Sequence, residues 1–535
     1  MRSADLNPTQ FNDLYTLEQI RHIEQAAQRQ FGAYHLMHSA AQAALDLVNA
    51  TLPRAPTSPS KILILAGPGD NGGDALELAH LLAQDGHLVS VVVCGTPEKY
   101  SIAAHNCYLS AQQSSVQFIS NTSPELLSNS NWDVLVDGLF GIGLCRPIDG
   151  INLQWVQLFN HLHKTKHTPV IALDIPSGLD VSTGFIIGDE CIHASHTISF
   201  IANKIGLHMN HAKDYVGQLQ ISDLQLPMEL LNGCTSQLIQ AQHINTLLPK
   251  RSHASNKGNY GKVFVIGGAQ GMLGAPLLSA KTALMSGAGR VYVAQLGNAG
   301  AFFETQSELM SLDIHHLELH DGVSLIGPGL GNSELALKLI EQTLKEAPSL
   351  VIDADALNCI AQHPHLQTLL QQRQSRNQHS LLTPHPLEAA RLLNCGIDEV
   401  QTQRIASCQK LAQHFSCTII LKGSGSVICS DFSSDISSNS SSDSYSELSS
   451  DIQQSWINST GNPALATAGT GDVLAGLCAA LLAQNCAPHE AAMMAAYIHG
   501  RAADQLVERG IGPIGLTASE LIVEIRRLLN QFSTD

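Results

Sequence analysis

A glycine turn followed by a carboxylate is the stretch of this chain most able to do chemistry. Gly469, Gly471 and Asp472 stand in the sequence Ala-Gly-Thr-Gly-Asp, and the apolar run 473–483 follows them. Glycines let backbone N–H groups approach a ligand, and the amino end of a helix favours negative charge. A carboxylate beside such an anion site predicts a general base for a hydroxyl that reacts at phosphorus. The alternative is an ordinary turn in which Asp472 is a helix N-cap.

Glycine loops also follow three short apolar runs in the first half of the chain. Runs 61–66, 134–137 and 170–174 each lead directly into such a loop. Open parallel sheets bind their ligands outside the carboxyl ends of the strands. These three loops are therefore predicted to lie at a ligand-binding edge of one sheet.

Both halves of the chain alternate apolar runs with glycine turns and helical patterns, which predicts an α/β fold. In the first half, 61–66, 75–84 and 87–94 form a strand, helix and strand, and the helical segment 17–49 precedes them. Strand and helix signals are interrupted between 220 and 243, which places a domain boundary near residue 236. The expected domains are 1–236 and 237–535. Strands expected in the second domain are 262–266, 290–294, 323–326, 350–352, 380–382 and 418–421.

A serine-rich segment interrupts the second domain. Eleven of the eighteen residues in 433–450 are serine, so the segment has too little apolar surface to fold. Strand-like residues 425–429 precede it and 455–458 follow it. We interpret 431–455 as a disordered Ser/Asp-rich loop inserted in a hairpin, with an interdomain linker as the alternative.

Composition excludes several classes of protein. The 535 residues carry 29 Lys and Arg against 46 Asp and Glu, a formal charge of −17 with no basic run, so nucleic acid is not an expected partner. The longest apolar run, 473–483, is too short to cross a bilayer, and the first residues lack a signal sequence. A cytoplasmic location without a membrane partner is expected. The twelve cysteines include no Cys-x-x-Cys pair, which favours reduced buried thiols over metal ligands or disulfides.

An ordered series of motifs resembles the family of bifunctional NAD(P)H-hydrate repair enzymes, over about 15–529. In the first domain the motifs are 70–74, 137–143, 174–180 and 199–206. In the second they are 257–261, 267–268 with 274–275, 327–331, 353–358, 383–388, 422–423 and the Gly-Thr-Gly-Asp turn. The resemblance implies a Rossmann-like three-layer epimerase domain followed by a ribokinase-like α/β dehydratase domain. The implied enzyme is an isomerase and a lyase that repairs hydrated NADH and NADPH (NADHX and NADPHX).

For the dehydratase, the resemblance implies removal of water from the (S) hydrate while ADP is converted to AMP and phosphate. Asp472 would be the catalytic base, and Mg²⁺ would arrive with ADP. Four residues are expected to bind the hydrate: Ala275, Gly329, His385 and Asp472. Six residues are expected to bind ADP or AMP: Lys422, Gly423, Ser424, Gly425, Ser426 and Gly471.

For the epimerase, the resemblance implies interconversion of the (R) and (S) hydrates, with Asp174 and Lys204 as catalytic residues. A K⁺ ion would be held by Asn71, Asp137 and Ser177. Hydrate binding is expected at two loops and at the catalytic carboxylate: Asp70, Asn71, Gly72, Gly73, Asp74, Gly141, Ile142, Gly143, Leu144, Cys145, Arg146, Pro147 and Asp174.

The chain departs from the family pattern at three positions. Asp70 stands where the family generally has Asn, Ala75 where Gly is frequent, and Ala468 where a further glycine is common. The alternative function is an ATP-dependent ribokinase-like small-molecule kinase with a non-catalytic N-terminal binding module. For Asp353 and Asp355, helix capping with solvent exposure and a catalytic role remain equal alternatives. The resemblance leaves ADP against ATP and NADHX against NADPHX open, and a homo-oligomer is expected.

Overall fold

The computed structural model describes residues 12–52, 59–121, 124–297, 307–431 and 454–534. The chain divides into two compact units, Met1–Ser236 and Gln237–Asp535. Within the described ranges, no helix is both long and apolar enough to cross a membrane. Each unit contains a mainly parallel sheet.

The first unit contains a seven-stranded parallel sheet in the order β4-β3-β2-β5-β6-β7-β9. The chain builds the sheet outward from β2 in one direction and then from β5 in the other, so the winding reverses between these two strands. Ligands of open α/β sheets bind at such a reversal. The strands and helices of this unit are β1 (Asp13–Tyr15), α1 (Leu17–Phe31), α2 (Ala33–Thr51), β2 (Lys61–Ala66), α3 (Asp70–Gln84), β3 (Leu88–Val93), α4 (Ile102–Gln112), β4 (Gln117–Ile119), β5 (Val134–Gly138), α5 (Gly150–Lys166), β6 (Val170–Leu173), β7 (His196–Phe200), β8 (Asn203–Lys204), α6 (Ala212–Tyr215) and β9 (Gln218–Ser222).

Helices cover both faces of this sheet. Ile64 and Leu65 of β2 are both fully buried, although successive strand residues point to opposite faces. Ile64 belongs to the core shared with α1 to α4, whereas Leu65 packs in the core that contains Trp155 and Phe159 of α5. The first unit therefore has the three layers expected from the sequence.

The second unit follows the same plan with more strands. Its strands lie in the order β13-β12-β11-β14-β15-β16-β17-β18-β19, and the winding reverses between β11 and β14. Strands are parallel from β13 to β17 and antiparallel from β17 to β19. The elements are β10 (Ser236–Leu238), which spans the division between the units, α7 (Ala241–Leu247), β11 (Lys262–Gly267), α8 (Gly274–Met285), β12 (Arg290–Gln295), β13 (Met310–Ser311), β14 (Val323–Ile326), α9 (Glu334–Glu346), β15 (Ser349–Ile352), α10 (Asp355–Gln362), α11 (Pro364–Gln371), β16 (His379–Leu382), α12 (Pro386–Leu393), α13 (Ile397–Thr402), α14 (Arg404–Phe415), β17 (Thr418–Leu421), β18 (Ser426–Ser430), β19 (Ser455–Asn458), α15 (Thr470–Ala483), α16 (Pro488–Glu508) and α17 (Ala518–Thr534).

The apolar run that follows the glycine turn forms α15 and is buried from Val473 to Ala483. It packs in one core with α8, α16, α17 and one face of the sheet, including Val265, Leu325 and Val351. Burial on all sides explains why the run shows no polar face. The helix begins at Thr470, with Gly469 at the N-cap position in a left-handed conformation at φ 91°. Asp472 therefore lies inside the first turn, and its interpretation as an N-cap is wrong.

The predicted α/β class is confirmed in both units, while two element boundaries differ from expectation. Helix α3 begins at Asp70 rather than at Ala75, because Gly72 and Gly73 belong to the helix. The predicted helical segment 17–49 is two helices, which Gly32 separates at φ 89°. Strands β18 and β19 pair antiparallel on either side of the serine-rich segment. Residues 432–453 of that segment lie outside the described ranges.

Candidate active sites

In the first unit, a cavity of about 480 Å³ lies at the carboxyl edge of the sheet. The loops that follow β2 and β5 line it, together with the residue that follows β6 and side chains of α1 and α2. The reversal of winding separates the loops after β2 and β5 and leaves room for a ligand between them. The lining includes these predicted site residues: Asp70, Asn71, Asp74, Gly141, Ile142, Gly143, Leu144, Cys145, Arg146, Asp174 and Lys204.

Asp174 and Lys204 form an ion pair in the wall of this cavity. The Nζ atom of Lys204 donates to Oδ1 of Asp174 at 2.6 Å, to Oγ of Ser199 at 2.7 Å and to the carbonyl of Phe200 at 2.8 Å. All three ammonium protons thus have an acceptor, although the side chain is only 1% exposed. Oδ1 of Asp174 also accepts the N–H of Phe200 at 3.1 Å, whereas Oδ2 has no hydrogen-bond donor in the described part of the chain. The carboxylate therefore offers one oxygen to a ligand.

A buried group of oxygen atoms lies close to this pair. Asp137, at the end of β5, is fully buried and accepts the hydroxyl of Ser177 at 2.6 Å and its N–H at 2.8 Å. Burial raises the pKa of Asp137 to about 6, against the effect of these hydrogen bonds. Asn71 is 8% exposed, and its amide oxygen and nitrogen have no hydrogen-bond partner among the described residues. An unpaired buried amide is unfavourable by about 1–3 kcal/mol, so this group favours an additional ligand.

Several carboxyl groups of the first unit face the same cavity. Burial raises the pKa of Glu24 and of Asp74, and the neighbouring carboxylates of Asp174 and Asp70 raise both further. Asp70 accepts a hydrogen bond from the hydroxyl of Ser101 at 2.9 Å. Burial and the mutual repulsion of these carboxyl groups thus act in the same direction on both pKa values.

In the second unit, the residues that follow β15, β16 and β17 meet at one edge of the sheet. Asp353 is 1% exposed, and its Oδ1 accepts the hydroxyl of Thr383 at 2.7 Å and Nζ of Lys422 at 2.8 Å. Burial lowers the pKa of Lys422, but the carboxylates of Asp353 and Glu388 raise it by more. The side chain of Lys422 is 20% exposed. The edge of the sheet thus presents an ammonium group supported by a buried carboxylate.

The Gly-Thr-Gly-Asp turn lies beside this ion pair. Burial raises the pKa of Asp472 to about 7, with a further increase from Asp353 and an opposing effect of Lys422. The N–H groups of Gly471 and Asp472 donate to no acceptor in the described ranges, as expected for the first turn of a helix. A Cβ atom on Gly471 would lie 3.6 Å from Nζ of Lys422. Free amides, an ammonium group and a carboxyl group with a near-neutral pKa therefore adjoin one another.

Two buried side chains hold the turn. His499 of α16 donates from Nε2 to the carbonyl of Thr470 at 2.9 Å, and Ser279 of α8 donates from Oγ to the carbonyl of Asp472 at 2.9 Å. Burial lowers the pKa of His499 to about 4, so its ring is neutral and carries its proton on Nε2. A Cβ atom on Gly476 would lie 2.2 Å from the carbonyl oxygen of Ser279. Close packing and directional hydrogen bonds together fix the orientation of the turn.

The predicted adenylate loop, residues 422–426, joins β17 to β18. The hydroxyl of Ser426 donates to the carbonyl of Gly423 at 3.0 Å and accepts its N–H at 3.3 Å. The N–H of Lys422 donates to the carbonyl of Pro384 at 2.9 Å. The N–H groups of Ser424 and Gly425 donate to no other described residue. Two amides of this loop are thus available to a ligand, whereas the Ser426 hydroxyl holds the loop together.

His385 combines a structural contact with an available hydrogen-bond donor. Its Nδ1 accepts the N–H groups of Leu387 at 3.1 Å and Glu388 at 3.3 Å, which caps α12. The proton of the ring is therefore on Nε2, 3.3 Å from Oε1 of Glu388, and the side chain is 45% exposed. Burial lowers the pKa of His385 and raises that of Glu388 to about 7. The imidazole can thus donate from Nε2 at the edge of the sheet.

Gly329 and Ala275 meet where the winding of the second sheet reverses. Gly329 has a φ of 56°, and its carbonyl accepts the N–H of Ala269 at 2.7 Å. A Cβ atom on Gly329 would lie 2.7 Å from the carbonyl oxygen of Met272 and 3.3 Å from Cβ of Ala275. The close contact excludes a larger residue at position 329. It leaves the backbone at Gly329 side by side with the segment that contains Met272 and Ala275.

Two family models match the chain. Residues 33–206 match the family described as YjeF-related protein N-terminus, and residues 263–527 match the family described as NAD(P)H-hydrate dehydratase. The chain is 32% identical over 527 residues to the bifunctional NAD(P)H-hydrate repair enzyme Nnr of Coxiella burnetii, covering 97% of this chain and 99% of that protein. The chain belongs to the family of bifunctional NAD(P)H-hydrate repair enzymes. The resemblance inferred from the motifs is confirmed.

Another family member, the bifunctional NAD(P)H-hydrate repair enzyme Nnr of Vibrio cholerae, is 34% identical over 535 residues, with 98% of this chain and 99% of that protein covered. Among solved structures, the ADP/ATP-dependent NAD(P)H-hydrate dehydratase from Bacillus subtilis, co-crystallised with ATP and Mg²⁺, is similar at 26% identity and a TM-score of 0.46. It covers 55% of this chain and 98% of its own.

Three residues predicted to bind the hydrate in this repair-enzyme chain do not line the cavity of the first unit. A Cβ atom on Gly72 would lie 2.0 Å from the carbonyl oxygen of Gly67, and one on Gly73 would lie 2.5 Å from the side chain of Met37. Both glycines therefore allow α3 to pack closely against its neighbours. Pro147 is not among the residues that line the cavity. It lies against Gly188, where an added Cβ atom would be 2.8 Å from the Pro147 side chain.

Some residues that shape the second site were missed or undervalued from the sequence. The predicted alternative that Asp353 is exposed to solvent is wrong, since this residue is buried and paired with Lys422. Its position directly after a buried strand was the sequence signal that could have indicated its burial. Asp355 accepts the N–H of Gly331 at 2.8 Å and so holds the loop after β14. Ser279 and His499 lie far from the turn in sequence, and no local motif marks them.

Proposed function

We propose that this chain repairs hydrated NADH and NADPH with two separate active sites, one in each unit. The first unit interconverts the (R) and (S) hydrates, and the second dehydrates the (S) hydrate while ADP becomes AMP and phosphate. Family membership supports the pair of activities. The observation that carries the proposal is the Asp472 carboxyl group, with a pKa of about 7, beside free amides and the Lys422 ammonium group.

In the dehydratase reaction, Asp472 accepts the proton of the C6 hydroxyl while the hydroxyl oxygen attacks the β-phosphorus of ADP. The bond from this phosphorus to the bridging oxygen breaks, and AMP leaves. The amides of Gly471 and Asp472 and the ammonium group of Lys422 stabilise the negative charge on the transferred group. Phosphate then departs from C6, and loss of a proton from the neighbouring carbon restores the double bond.

Adenylate binding is assigned to the loop after β17 and to the turn: Lys422, Gly423, Ser424, Gly425, Ser426 and Gly471. The free N–H groups of Ser424 and Gly425 support this assignment. Hydrate binding is assigned to Ala275, Gly329, His385 and Asp472. Gly329 and Ala275 lie in contact, and His385 supplies an Nε2–H donor.

Magnesium belongs to the bound nucleotide in this proposal. Among the described residues, no cluster of three His, Cys, Asp or Glu side chains is arranged to hold a metal ion. Lys422 already neutralises Asp353, and Asp472 is the proposed base. The ion, when bound, neutralises phosphate oxygens.

In the epimerase reaction, Asp174 and Lys204 are the proposed acid–base pair. Oδ2 of Asp174 is available to accept and return a proton of the hydrate, while Lys204 holds Oδ1 in place. The lining of the cavity supports hydrate binding by Asp70, Asn71, Asp74, Asp174 and Gly141 to Arg146. Gly72, Gly73 and Pro147 would act by placing these residues.

The oxygen atoms of Asn71, Asp137 and Ser177 fit a potassium ion. Asp137 is a fully buried carboxyl group, and the Asn71 amide is buried without a hydrogen-bond partner in the described part of the chain. A Cβ atom on Gly141 would lie 3.3 Å from Cβ of Asn71, so the loop after β5 adjoins the amide. The ion, when bound, offsets the charge of Asp137 and of a nearby pyrophosphate.

The experiment that tests both activities uses a mixture of (R)- and (S)-NADHX with ADP and Mg²⁺ and follows the return of NADH absorbance. Complete recovery is expected, because the first unit resupplies the (S) form as the second consumes it. Recovery that stops when the (S) form is exhausted contradicts the epimerase assignment. No recovery with either ADP or ATP contradicts the dehydratase assignment.

A further inference from the structure

A buried arginine lies beneath the proposed adenylate loop. Arg404, the first residue of α14, is 3% exposed. Its Nη2 atom donates to the carbonyls of Leu421, Lys422 and Gly425, each at 3.2 Å. One guanidinium group therefore gathers carbonyls from both ends of the loop.

No carboxylate in the described part of the chain neutralises this guanidinium group. None of the ion pairs among the described residues includes Arg404, and its Nη1 donates to the neutral side chain of Gln401 at 2.9 Å. Burial lowers the pKa of Arg404 to about 10, so the group is charged at neutral pH. A buried charge without an opposite charge is costly to maintain, so the loop carbonyls that accept from Arg404 are its main stabilising partners.

Arg404 holds the two peptide groups that flank the free amides of the loop. The carbonyls of Lys422 and Gly425 accept from it, and the N–H groups of Ser424 and Gly425, which belong to the two peptide groups between them, have no acceptor in the described ranges. Gly423 has a φ of 148°, and a Cβ atom there would lie 2.7 Å from Nη2 of Arg404. The positive φ and the nearby guanidinium group therefore favour glycine at this position.

We propose that Arg404 is the positioning residue of the adenylate loop: it fixes the peptide groups on either side of the free Ser424 and Gly425 amides, which bind the phosphates of ADP, and it supplies positive charge beneath the loop. This proposal rests on the proposed adenylate role of the loop. Arg404 contacts no ligand in this arrangement and acts through the backbone of the loop.

Arg373 provides a matched control in the same unit. It is 1% exposed and donates to the carbonyls of Leu344, Ala347 and His379 and to the hydroxyl of Ser380. Burial lowers its pKa to about 10, as for Arg404. Its acceptors lie at the amino ends of β15 and β16, away from the proposed site. A purely structural role predicts the same consequences for substitution of either arginine.

The test measures ADP affinity by calorimetry, with Mg²⁺, for the full chain and the variants Arg404→Met, Arg404→Lys, Arg373→Met and Arg373→Lys. We expect Arg404→Met to weaken ADP binding by about thirtyfold or more and Arg404→Lys by about tenfold, because lysine keeps the charge but lacks the planar fork with which one guanidinium group reaches both the loop carbonyls and Gln401. Both Arg373 variants should bind ADP within about threefold of the unaltered chain. Steady-state kinetics should show a raised KM for ADP with the KM for the hydrate unchanged.

The outcomes separate this inference from the proposed function. If the unaltered chain binds neither ADP nor ATP, the proposed function fails. If it binds either nucleotide and both Arg404 variants bind that nucleotide within threefold of their Arg373 counterparts, the positioning role is overturned. If Arg404→Met does not fold, Arg404→Lys decides in the same way, since thermal unfolding identifies which variants are folded.

Discussion

Both units hold a Lys–Asp ion pair at the carboxyl edge of a parallel sheet, but the pairs are buried in opposite order. In the first unit, the Lys204 side chain is 1% exposed and that of Asp174 is 14% exposed. In the second, the Asp353 side chain is 2% exposed and that of Lys422 is 20% exposed. The buried partner holds the other in place, and the more exposed partner is the one that we propose faces the ligand.

The order of burial therefore matches a difference in chemistry. The first unit presents a carboxylate, which suits proton transfer, and the second presents an ammonium group, which suits a phosphate. In the second unit the proposed proton acceptor is a separate carboxyl group, that of Asp472, whose pKa burial raises to about 7. In this proposal, one ion pair in the first unit supplies both the reacting group and its support, whereas the second unit distributes these tasks over more residues.

The largest expected effect is that of Asp472→Asn. The variant removes the proposed base, and we expect dehydration of the (S) hydrate to fall by about a thousandfold. Epimerisation, measured by chromatography of the (R) and (S) hydrates, should remain unchanged and serves as the control within the same chain. A dehydration rate within tenfold of the unaltered chain would exclude Asp472 as the base.

Asp174→Asn and Lys204→Met test the pair of the first unit. We expect Asp174→Asn to slow epimerisation by about a hundredfold or more, because an amide cannot accept the proton. Lys204→Met should slow it by about tenfold, since the carboxylate remains but loses its orientation. Dehydration of pure (S) hydrate by both variants should be normal. Equal losses in the two variants would indicate that the lysine itself transfers a proton.

Lys422→Met tests the second unit, where the ammonium group and not the carboxylate of the ion pair is proposed to face the ligand. We expect the KM for ADP to rise by about ten- to a hundredfold, because a charge-assisted contact to phosphate is lost. Lys410→Met is the matched control, since Lys410 is 56% exposed on α14. If Lys422→Met lowers kcat with an unchanged KM for ADP, the ammonium group acts only after the nucleotide is bound.

The pKa of Asp472 makes a prediction for stability as well as for rate. Burial raises this pKa from 3.8 to about 7, so the folded state favours the neutral acid. The contribution of Asp472 to the free energy of unfolding is therefore fully present below about pH 4 and is lost as the pH rises through 7, because the buried acid must then lose its proton. Calorimetry should therefore show that Asp472→Asn raises the Tm of the second unit by a few degrees at pH 8 and not at pH 4. Asp398→Asn, on an exposed turn of α13, should change neither value.

The smallest expected effect concerns potassium. Because burial raises the pKa of Asp137 to about 6, its carboxyl group is charged above that pH and neutral below it. Exchange of choline chloride for potassium chloride should raise the Tm of the first unit by a few degrees at pH 8 and by less at pH 5. Asp137→Asn should abolish the difference. A potassium effect that persists in this variant would place the ion elsewhere.

The sequence identified the groups that lie directly after buried strands, because a strand pattern and the residue that ends it are local signals. Asp174, Lys422 and the turn at Asp472 belong to this class. Which member of each ion pair is the more buried cannot be predicted in this way, because it depends on the neighbours that surround each side chain in the fold. For that reason the sequence could not decide whether Asp353 is exposed to solvent or has a role in the site. Arg404 and His499 act on backbone carbonyls of distant segments, and no spacing in the sequence records such contacts.

Gly476 carries a consequence for how this sequence can change over evolution. A single methyl group there would lie 2.2 Å from the backbone of Ser279, which itself donates to the carbonyl of Asp472 one helical turn away. Substitution of Gly476 is therefore restricted, although this glycine is not one of the proposed binding residues. A saturation library selected for dehydration should tolerate substitutions at Gly476 almost as poorly as at Asp472 itself.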